Sequence, residues 1–257
     1  MKFSLVLMFS LMTLIVSAQV NQVDSRGRKQ GVWEKTYPKS IVYQYRGEFK
    51  DDKPVGKFTY YYESGKVKAI IKHNEVQAGR SLAYFYHENG NVMSAGIYRN
   101  LKKDSTWINM TPSGRLSSVE EYKNDKLNGL TKIYFIPENP DDKTEIVASE
   151  LMYKDGLLQG EYKEYFLNRK IKTRGQYDNN KQHGAWEEFQ VSGQRAATYR
   201  YDHGEKHGYS IAYDEMGKRL KEVFYYHGQP LEGERLEQIL KQLEEKGINP
   251  YTMTTKQ

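Results

Sequence analysis

The chain has 257 residues, of which 38% are hydrophobic and 28% charged, and this length suffices for one or two ordinary domains. Tyrosine supplies 22 of the residues, whereas Leu, Ile and Val are sparse after position 18, so the composition argues against a thick aliphatic core. The net charge of +6 is spread along the chain, which favours a solvated surface over a nucleic-acid-binding stripe, and the absence of Cys excludes thiol catalysis, Cys-based zinc sites and disulfides.

Residues 1–18 are typical of a secretory signal peptide. Lys2 supplies a short basic segment, and the apolar run from Phe3 to Val16 has 14 residues, fewer than the ~20 needed to span a bilayer. Small residues end the run at Ser17 and Ala18. We therefore predict cleavage near Ala18 and an exported mature chain that is periplasmic or extracellular, with an uncleaved anchor as the alternative.

A pattern with a period of 24 or 25 residues recurs through the rest of the chain. Each copy is anchored by a small residue, and the anchors are Gly31, Gly56, Ser81, Ser105, Gly129, Gly160, Gly184 and Gly208. The one interval of 31 residues contains the sequence PENPDDK at 137–143, which predicts a lengthened turn. Regular recurrence of this kind predicts a repeat protein.

Two further positions recur relative to the anchor. Nine residues after it, five copies have a glycine, namely Gly65, Gly90, Gly114, Gly193 and Gly217. Two residues after it, five copies have a large ring, namely Trp33, Phe58, Trp107, Tyr162 and Trp186. The glycines predict turns with positive φ, so each copy is predicted to be one β-hairpin.

A copy of 24 residues holds two strands and two turns but leaves no room for a crossover helix, so consecutive hairpins must be neighbours. The sequence thus predicts an all-β fold, an elongated single-layer antiparallel meander of about eight hairpins over residues 19–228. A second aromatic position lies five residues after the anchor. Because the two ring positions have opposite parity, either both faces carry rings or a bulge intervenes.

Residues 229–257 predict a C-terminal α-helix and tail. Four apolar residues fall on one helical face: Leu236, Ile239, Leu240 and Leu243. Gly247 is suited to end this helix. Because a repeat array exposes the edge of its last strand, we expect the helix to pack there as a cap, with a partner-binding helix as the alternative.

The copies resemble the MORN-type repeat in its bacterial variant, a family often labelled antitoxin-like. The clearest copies are FKDDKPVGKFTYYYESGKV (49–67), YDNNKQHGAWEEFQVSGQR (177–195) and YDHGEKHGYSIAYDEMGKR (201–219), and the similarity covers about residues 27–228. Ser81, Ser105 and the loop at 137–143 depart from the pattern. The resemblance implies an elongated, twisted sheet of hairpins and a role in protein scaffolding or contact with membrane lipid. It supplies no shared catalytic residues, and an exported chain fits a cytoplasmic antitoxin role poorly.

The sequence contains no motif of a nucleophile elbow, a zinc protease or a phosphate-binding loop. His183 and His207 occupy the same place in successive copies, about 10 Å apart, too far to share a zinc ion. His203 and His207 flank one turn and could come nearer, but turn histidines are expected. Glu187 and Glu188 are adjacent in a strand and point to opposite faces. The sequence therefore predicts a non-enzymatic chain without a metal or cofactor.

The aromatic series has two interpretations. It is a packing ladder that needs no ligand or, if one row faces solvent, a stacking surface formed by the candidate binding face of Trp33, Phe58, Trp107, Tyr162 and Trp186. The uniform array predicts an exported protein–protein interaction scaffold with a protein partner in the envelope or outside the cell. The alternative is a module that binds envelope glycan or lipid headgroups through an aromatic and basic face, and no nucleic-acid partner is expected.

Overall fold

The computed structural model of the chain describes residues 19–73, 77, 79–139 and 142–255. The predicted signal peptide, residues 1–18, lies outside the described residues. Within the described part, twenty strands form one sheet, and a single helix follows near the C-terminus. Among the described residues, no helix is long and apolar enough to cross a membrane.

Strands before the inserted loop are β1 (Gln22–Val23), β2 (Lys29–Thr36), β3 (Tyr43–Lys50), β4 (Lys53–Tyr61), β5 (Val67–His73), β6 (Arg80–Tyr86), β7 (Val92–Arg99), β8 (Lys102–Met110), β9 (Leu116–Lys123), β10 (Lys126–Leu127) and β11 (Gly129–Tyr134). Strands after it are β12 (Val147–Lys154), β13 (Leu157–Tyr165), β14 (Ile171–Asp178), β15 (Lys181–Phe189), β16 (Arg195–Asp202), β17 (Glu205–Lys206), β18 (Gly208–Tyr213), β19 (Arg219–Tyr226) and β20 (Gln229–Leu231). The chain then forms α1 (Gly233–Glu245) and a small sheet of β21 (Ile248–Asn249) and β22 (Thr254–Thr255).

Each strand of the large sheet pairs antiparallel with its neighbour in sequence, so the sheet is a meander. Backbone hydrogen bonds also join the turns of consecutive hairpins. The N–H of Asp52 donates to the carbonyl oxygen of Lys29 at 3.2 Å, and the N–H of Asp125 donates to that of Lys103 at 3.0 Å. The predicted long antiparallel meander with a C-terminal helix is therefore confirmed.

A β-bulge lies at the same place in every hairpin, and its extra residue is on the return strand, as Gln44 is between Tyr43 and Tyr45. Between the fourth and fifth residues after the anchor, the register with the return strand shifts by one residue. The shifts lie at Lys35/Thr36, Tyr60/Tyr61, Phe85/Tyr86, Asn109/Met110, Ile133/Tyr134, Glu164/Tyr165, Glu188/Phe189 and Ala212/Tyr213. The recurrence makes the bulge part of the repeat rather than a local irregularity.

The anchor position adopts a left-handed backbone in most hairpins. Gly56 has a φ of +60° and Gly184 a φ of +70°, and Ser105 adopts +60° in the same place. Ser81 differs, because its φ is not positive and it lies directly opposite His73 in strands that pair without a register shift. The two serines that depart from the repeat pattern therefore have different local structures.

We expect Ser105→Gly to stabilise the chain and Ser81→Gly to destabilise it. The side chain of Ser105 costs about 1–2 kcal/mol in the left-handed region, and glycine removes this cost. The greater freedom of glycine in the unfolded chain offsets roughly 0.5–1 kcal/mol of the gain. Ser105→Gly should therefore raise the free energy of unfolding by about 0.5–1 kcal/mol. Ser81→Gly removes a 2.8 Å hydrogen bond between the Ser81 Oγ and the His73 Nδ1. Urea unfolding of both variants checks this, and shifts of the same sign would contradict it.

The sheet has two chemically different faces, because directly opposed residues share a face. The aromatic face carries the rings placed two residues after the anchors and the residues opposite them, as in the pair Trp33 and Gly47. The charged face carries a row of directly opposed side chains on five successive strands: Lys132, Glu150, Lys163, Arg174 and Glu187.

Helix α1 packs against the last hairpin, as predicted for a cap. Phe224, Leu231 and Leu243 are buried together, and around them pack Tyr209, Tyr226, Leu236, Ile239, Leu240, Ile248 and Met253. Tyr209 follows the anchor Gly208 by one residue and lies opposite Phe224. It is on the same face as the charged row, whose residues after the anchors are at an offset of three, so the helix covers the charged face of the sheet. Gly247 follows the helix with a φ of +67°, as expected of its terminating residue.

Candidate binding surface on the aromatic face

Three large rings of the aromatic face lie directly over a glycine of the preceding strand. The glycine precedes the ring by eleven residues in the pairs Gly47 and Phe58, Gly96 and Trp107, and Gly175 and Trp186. A Cβ atom built on any of these glycines would lie 2.2–2.3 Å from the nearest ring atom. These glycines are therefore needed as space for the rings, unlike the turn glycines, which are needed for their φ.

The five rings of the predicted binding face differ in exposure. Three are buried, with exposed fractions of 2%, 1% and 4%, namely Phe58, Trp107 and Trp186. The other two, Trp33 and Tyr162, are half-buried. The two buried tryptophans contact tyrosines edge-on, as Trp107 does with Tyr98 at a centroid distance of 5.0 Å. The packing-ladder interpretation therefore holds for the three buried rings, which present little surface to a ligand, while ligand contact by the other two stays a prediction.

Lysine ammonium groups lie over several rings of this face. The Nζ of Lys103 is 4.4 Å from the ring centroid of Trp107 and 4.6 Å from that of Tyr122. The Nζ of Lys29 is 4.6 Å from the ring centroid of Trp33. Both lysines stand two residues before an anchor, and each brings positive charge to a ring face by cation–π attraction.

The ladder is interrupted in the third hairpin. Ala83, which is fully buried at 0% exposure, stands where the neighbouring hairpins have Phe58 and Trp107. Beside it, around the opposing Ile71, lies a hollow of about 280 Å³ on the aromatic face. It is lined by Phe49, Pro54, Phe58, Tyr60, Ile71, His73, Ser81, Tyr98 and Leu101.

A second hollow of about 280 Å³ adjoins the first. Its lining residues are Tyr37, Gln44, Tyr60, Tyr61, Lys68, Ala69, Ile71 and Phe85. Tyr60 and Ile71 line both depressions, which together are called the aromatic hollow below. Concave, mainly apolar walls with a few polar groups are the usual composition of a binding site.

A hydrogen-bonded pair of polar side chains, Ser81 and His73, lines the aromatic hollow. The Oγ of Ser81 and the Nδ1 of His73 are 2.8 Å apart, and the His73 ring meets Phe58 edge-on at a centroid distance of 5.3 Å. Burial lowers the pKa of His73, so its imidazole is neutral near pH 7. The arrangement can hydrogen-bond to a partner group that enters the hollow.

The charged face is held by ion pairs. The Glu187 carboxylate lies between two guanidinium groups, with its Oε1 2.7 Å from the Nη2 of Arg195 and its Oε2 bonded to Arg174. Glu34 and Arg46 form an equivalent pair near the other end, with an N–O distance of 2.9 Å. Each partly exposed ion pair of this kind contributes only about 0–1 kcal/mol to the stability of the fold. Ion pairing with these two arginines is therefore the role that the structure gives to Glu187.

We expect alkaline unfolding of the chain between pH 10 and about 12, because burial raises the pKa of four tyrosines from 10.0 to about 12, namely Tyr122, Tyr162, Tyr165 and Tyr199. Glu120 adds to the shift at Tyr122, whose hydroxyl donates to it. Since the folded pKa exceeds the unfolded value, this stabilisation is full below pH 10 and is lost as the pH approaches 12. Circular dichroism should be lost over this pH range, and part of the tyrosinate absorbance should rise together with that loss. A native circular dichroism spectrum retained through pH 12 would contradict the prediction.

The histidines of the last hairpins pair differently from the sequence expectation. The ring centroids of His183 and His203 are 5.2 Å apart, and those of His207 and His227 are 4.9 Å apart. His203 therefore meets a residue of the preceding hairpin rather than His207 across its own turn. The reason is the register of neighbouring strands, which aligns residues about twenty positions apart in the chain.

The predicted turn glycines are where they were expected. All five have φ between +77° and +95°: Gly65, Gly90, Gly114, Gly193 and Gly217. Arg169 holds the same place in the sixth hairpin with a φ of +66°.

Sequence reasoning missed the glycines under the rings and the aromatic hollow. The constant eleven-residue spacing and the lone Ala at a ring position were the available signals.

Fold and surface together define a repeat protein of stacked β-hairpins with one aromatic and one charged face. No family model and no curated protein matches the chain. Among solved structures, it is similar to a chain of the Photorhabdus luminescens Tc holotoxin pore, with 10% identity over 68% of this chain and a TM-score of 0.18. It is also similar to a chain of TcdB2-TccC3-TEV, with 11% identity over 71% of this chain and a TM-score of 0.20. In both comparisons the match spans 11% of the longer chain, and such scores carry no argument about fold or function.

Proposed function

We propose that the chain is an exported, non-enzymatic MORN-type repeat protein that binds a protein partner through the aromatic hollow. The observation that supports this is the local opening of a ladder that is tightly packed on both sides. Phe58 and Trp107 are buried, and between them the small Ala83 leaves Tyr60 and Ile71 accessible from solvent. A gap of this kind receives apolar side chains without rearrangement of the sheet.

The rim of the aromatic hollow favours a protein side chain as the occupant. Leu101 lies in the turn after β7 and is 80% exposed, although it lines the first hollow. An exposed aliphatic side chain beside an apolar depression extends the surface that a partner can cover. The Ser81 and His73 pair adds a hydrogen-bonding group for a backbone or hydroxyl of the partner. Apolar contact around a polar anchor is a usual composition for a protein interface.

Two adjacent residues of β5 provide a matched test. Ile71 lies opposite Ala83 and lines the aromatic hollow, whereas Ile70 lies opposite Tyr84 on the charged face. Both are half-buried. Ile71→Glu should reduce capture of the protein partner from envelope extracts about tenfold or more, whereas Ile70→Glu should retain it.

Circular dichroism and urea unfolding of both variants serve as the control for folding. The proposal is contradicted if two folded variants capture the partner equally well, or if only Ile70→Glu loses it.

The second candidate function is binding of envelope glycan or lipid headgroups on the same face. The lysines over the rings favour it, because Lys29 and Lys103 bring positive charge to Trp33 and Trp107. Vesicles that contain anionic lipid and purified envelope polysaccharide are the probes. Binding to either one that falls on Lys103→Gln, together with no captured protein, would favour this candidate over the first.

A further inference from the structure

A cluster of metal-ligating side chains lies at the turn edge of the seventh hairpin. His183 belongs to β15, Asp202 ends β16, and His203 begins the following turn with a φ of +46°. Gly184 pairs with Tyr201, so the register brings Asp202 next to His183 on the neighbouring strand. The fold therefore brings two imidazoles and one carboxylate to one point.

The distances within this cluster are close to those of a metal site. One ligand atom from each of His183, Asp202 and His203 lies within 4.8 Å of the others. The Oδ1 of Asp202 is 2.6 Å from the Nδ1 of His203 and 3.7 Å from the Nδ1 of His183. Ligands bound to zinc at about 2.1 Å in a tetrahedron lie about 3.4 Å from each other, so small rotations of exposed side chains suffice to close the set.

A second observation also indicates a ligand at this point. Among the described residues, the Nδ1 of His183 is sheltered from solvent and has no hydrogen-bond partner. A sheltered polar atom without a partner is unfavourable by about 1–3 kcal/mol unless something binds it. Its closest carboxylate oxygen, at 3.7 Å on Asp202, is too distant for a hydrogen bond but well placed to share a cation.

We propose that His183, Asp202 and His203 bind a divalent zinc-type metal ion. Two imidazoles and a carboxylate are ligands that Zn²⁺ accepts, and a fourth position remains open for water or another group. Asp178, whose Oδ2 is 3.5 Å from the Nε2 of His203, is a neighbouring carboxylate that can orient the ring. The bound ion would join β15 to the turn after β16.

The next hairpin contains a related pair that serves as an internal comparison. His207 and His227 stand one repeat further on, but Tyr226 occupies the place of Asp202. The Nδ1 of His207 already accepts the backbone N–H of His227 at 3.3 Å. This pair therefore lacks both the carboxylate and the free ring nitrogen, and we expect it to bind zinc more weakly.

Titration calorimetry of the full chain, purified without a polyhistidine tag, tests the proposal with Zn²⁺ alone as the probe. One ion should bind per chain, and thermal unfolding should shift upward with added Zn²⁺. His203→Ala and Asp202→Asn should each weaken binding about tenfold or more, a loss typical even of residues outside the ligand set. His207→Ala, the matched control, should change the affinity less than about twofold.

Each opposite outcome overturns the assignment. Failure of Zn²⁺ to bind the wild-type chain is one. Unchanged affinity in folded His203→Ala and Asp202→Asn is another. A loss on His207→Ala equal to that on His203→Ala would place the ion at the other pair. Because Asp202→Asn preserves the size of an exposed side chain, it keeps the test independent of folding.

Discussion

Replacing Gly96 by Ala should lower the free energy of unfolding by about 3 kcal/mol, because overpacking of this kind typically costs about 1–3 kcal/mol or more. The new Cβ would lie 2.3 Å from the Trp107 ring, so either the ring or the strand must move. The backbone at Gly96 does not have a positive φ, so the substitution itself introduces no left-handed strain. Urea unfolding of the two proteins measures the difference.

A double-mutant cycle separates the steric cause from any intrinsic cost of Ala in the strand. In a Trp107→Leu background, Gly96→Ala should cost much less than in the wild type, because the smaller side chain leaves room for the Cβ. An equal cost in both backgrounds would show that Gly96 is not required for ring packing. Gly175→Ala, in which the Cβ would lie 2.2 Å from Trp186, should reproduce the effect in another hairpin.

Trp107→Ala should be the most destabilising single truncation on the aromatic face, with a loss of about 3–5 kcal/mol. The ring is only 1% exposed and contacts Tyr98 and Tyr122 at centroid distances of 5.0 and 6.4 Å. Its indole N–H also donates to the carbonyl oxygen of Ile97 at 3.1 Å. Truncation therefore leaves a cavity and an unpaired carbonyl near the centre of the array.

The matched control for Trp107→Ala is Trp33→Ala. Trp33 has the same place in the first hairpin but is half-buried, so its removal should cost less than half as much. Stability in a repeat array is roughly a sum of local terms, so hydrogen exchange should rise chiefly in the hairpins beside each substitution. Equal losses for the two variants, or a uniform rise in exchange, would contradict the ladder.

The fold was predictable because its determinants are local and repeated. Gly65 and its equivalents mark turns that need a positive φ, and the short spacing between them excludes crossover helices. The apolar stripe of the last segment similarly predicted α1 and its contact with the final hairpin. Each of these inferences depends on residues that are close together in the sequence, so the chemical requirement can be recognised without knowing the strand register.

The functional surface was less predictable, because it depends on contacts between strands. The burial of Phe58, Trp107 and Trp186 follows from glycines on the preceding strand, and a pattern of ring positions does not show which rings are covered. The meeting of His183 with His203 depends in the same way on strand register. The β-bulges shift that register in every hairpin, so simple alternation along the strands could not supply these contacts.

Site-specific photocrosslinking in the native envelope tests the proposed binding through the aromatic hollow most directly. A photoreactive residue at Leu101, on the rim of the hollow, should crosslink one protein. The same probe at Met216, which is 90% exposed in a turn of the last repeat, should not. The Leu101 crosslink should disappear on Ile71→Glu and persist on Ile70→Glu. The same products from both probe positions, or no protein at Leu101, would contradict partner binding through the aromatic hollow.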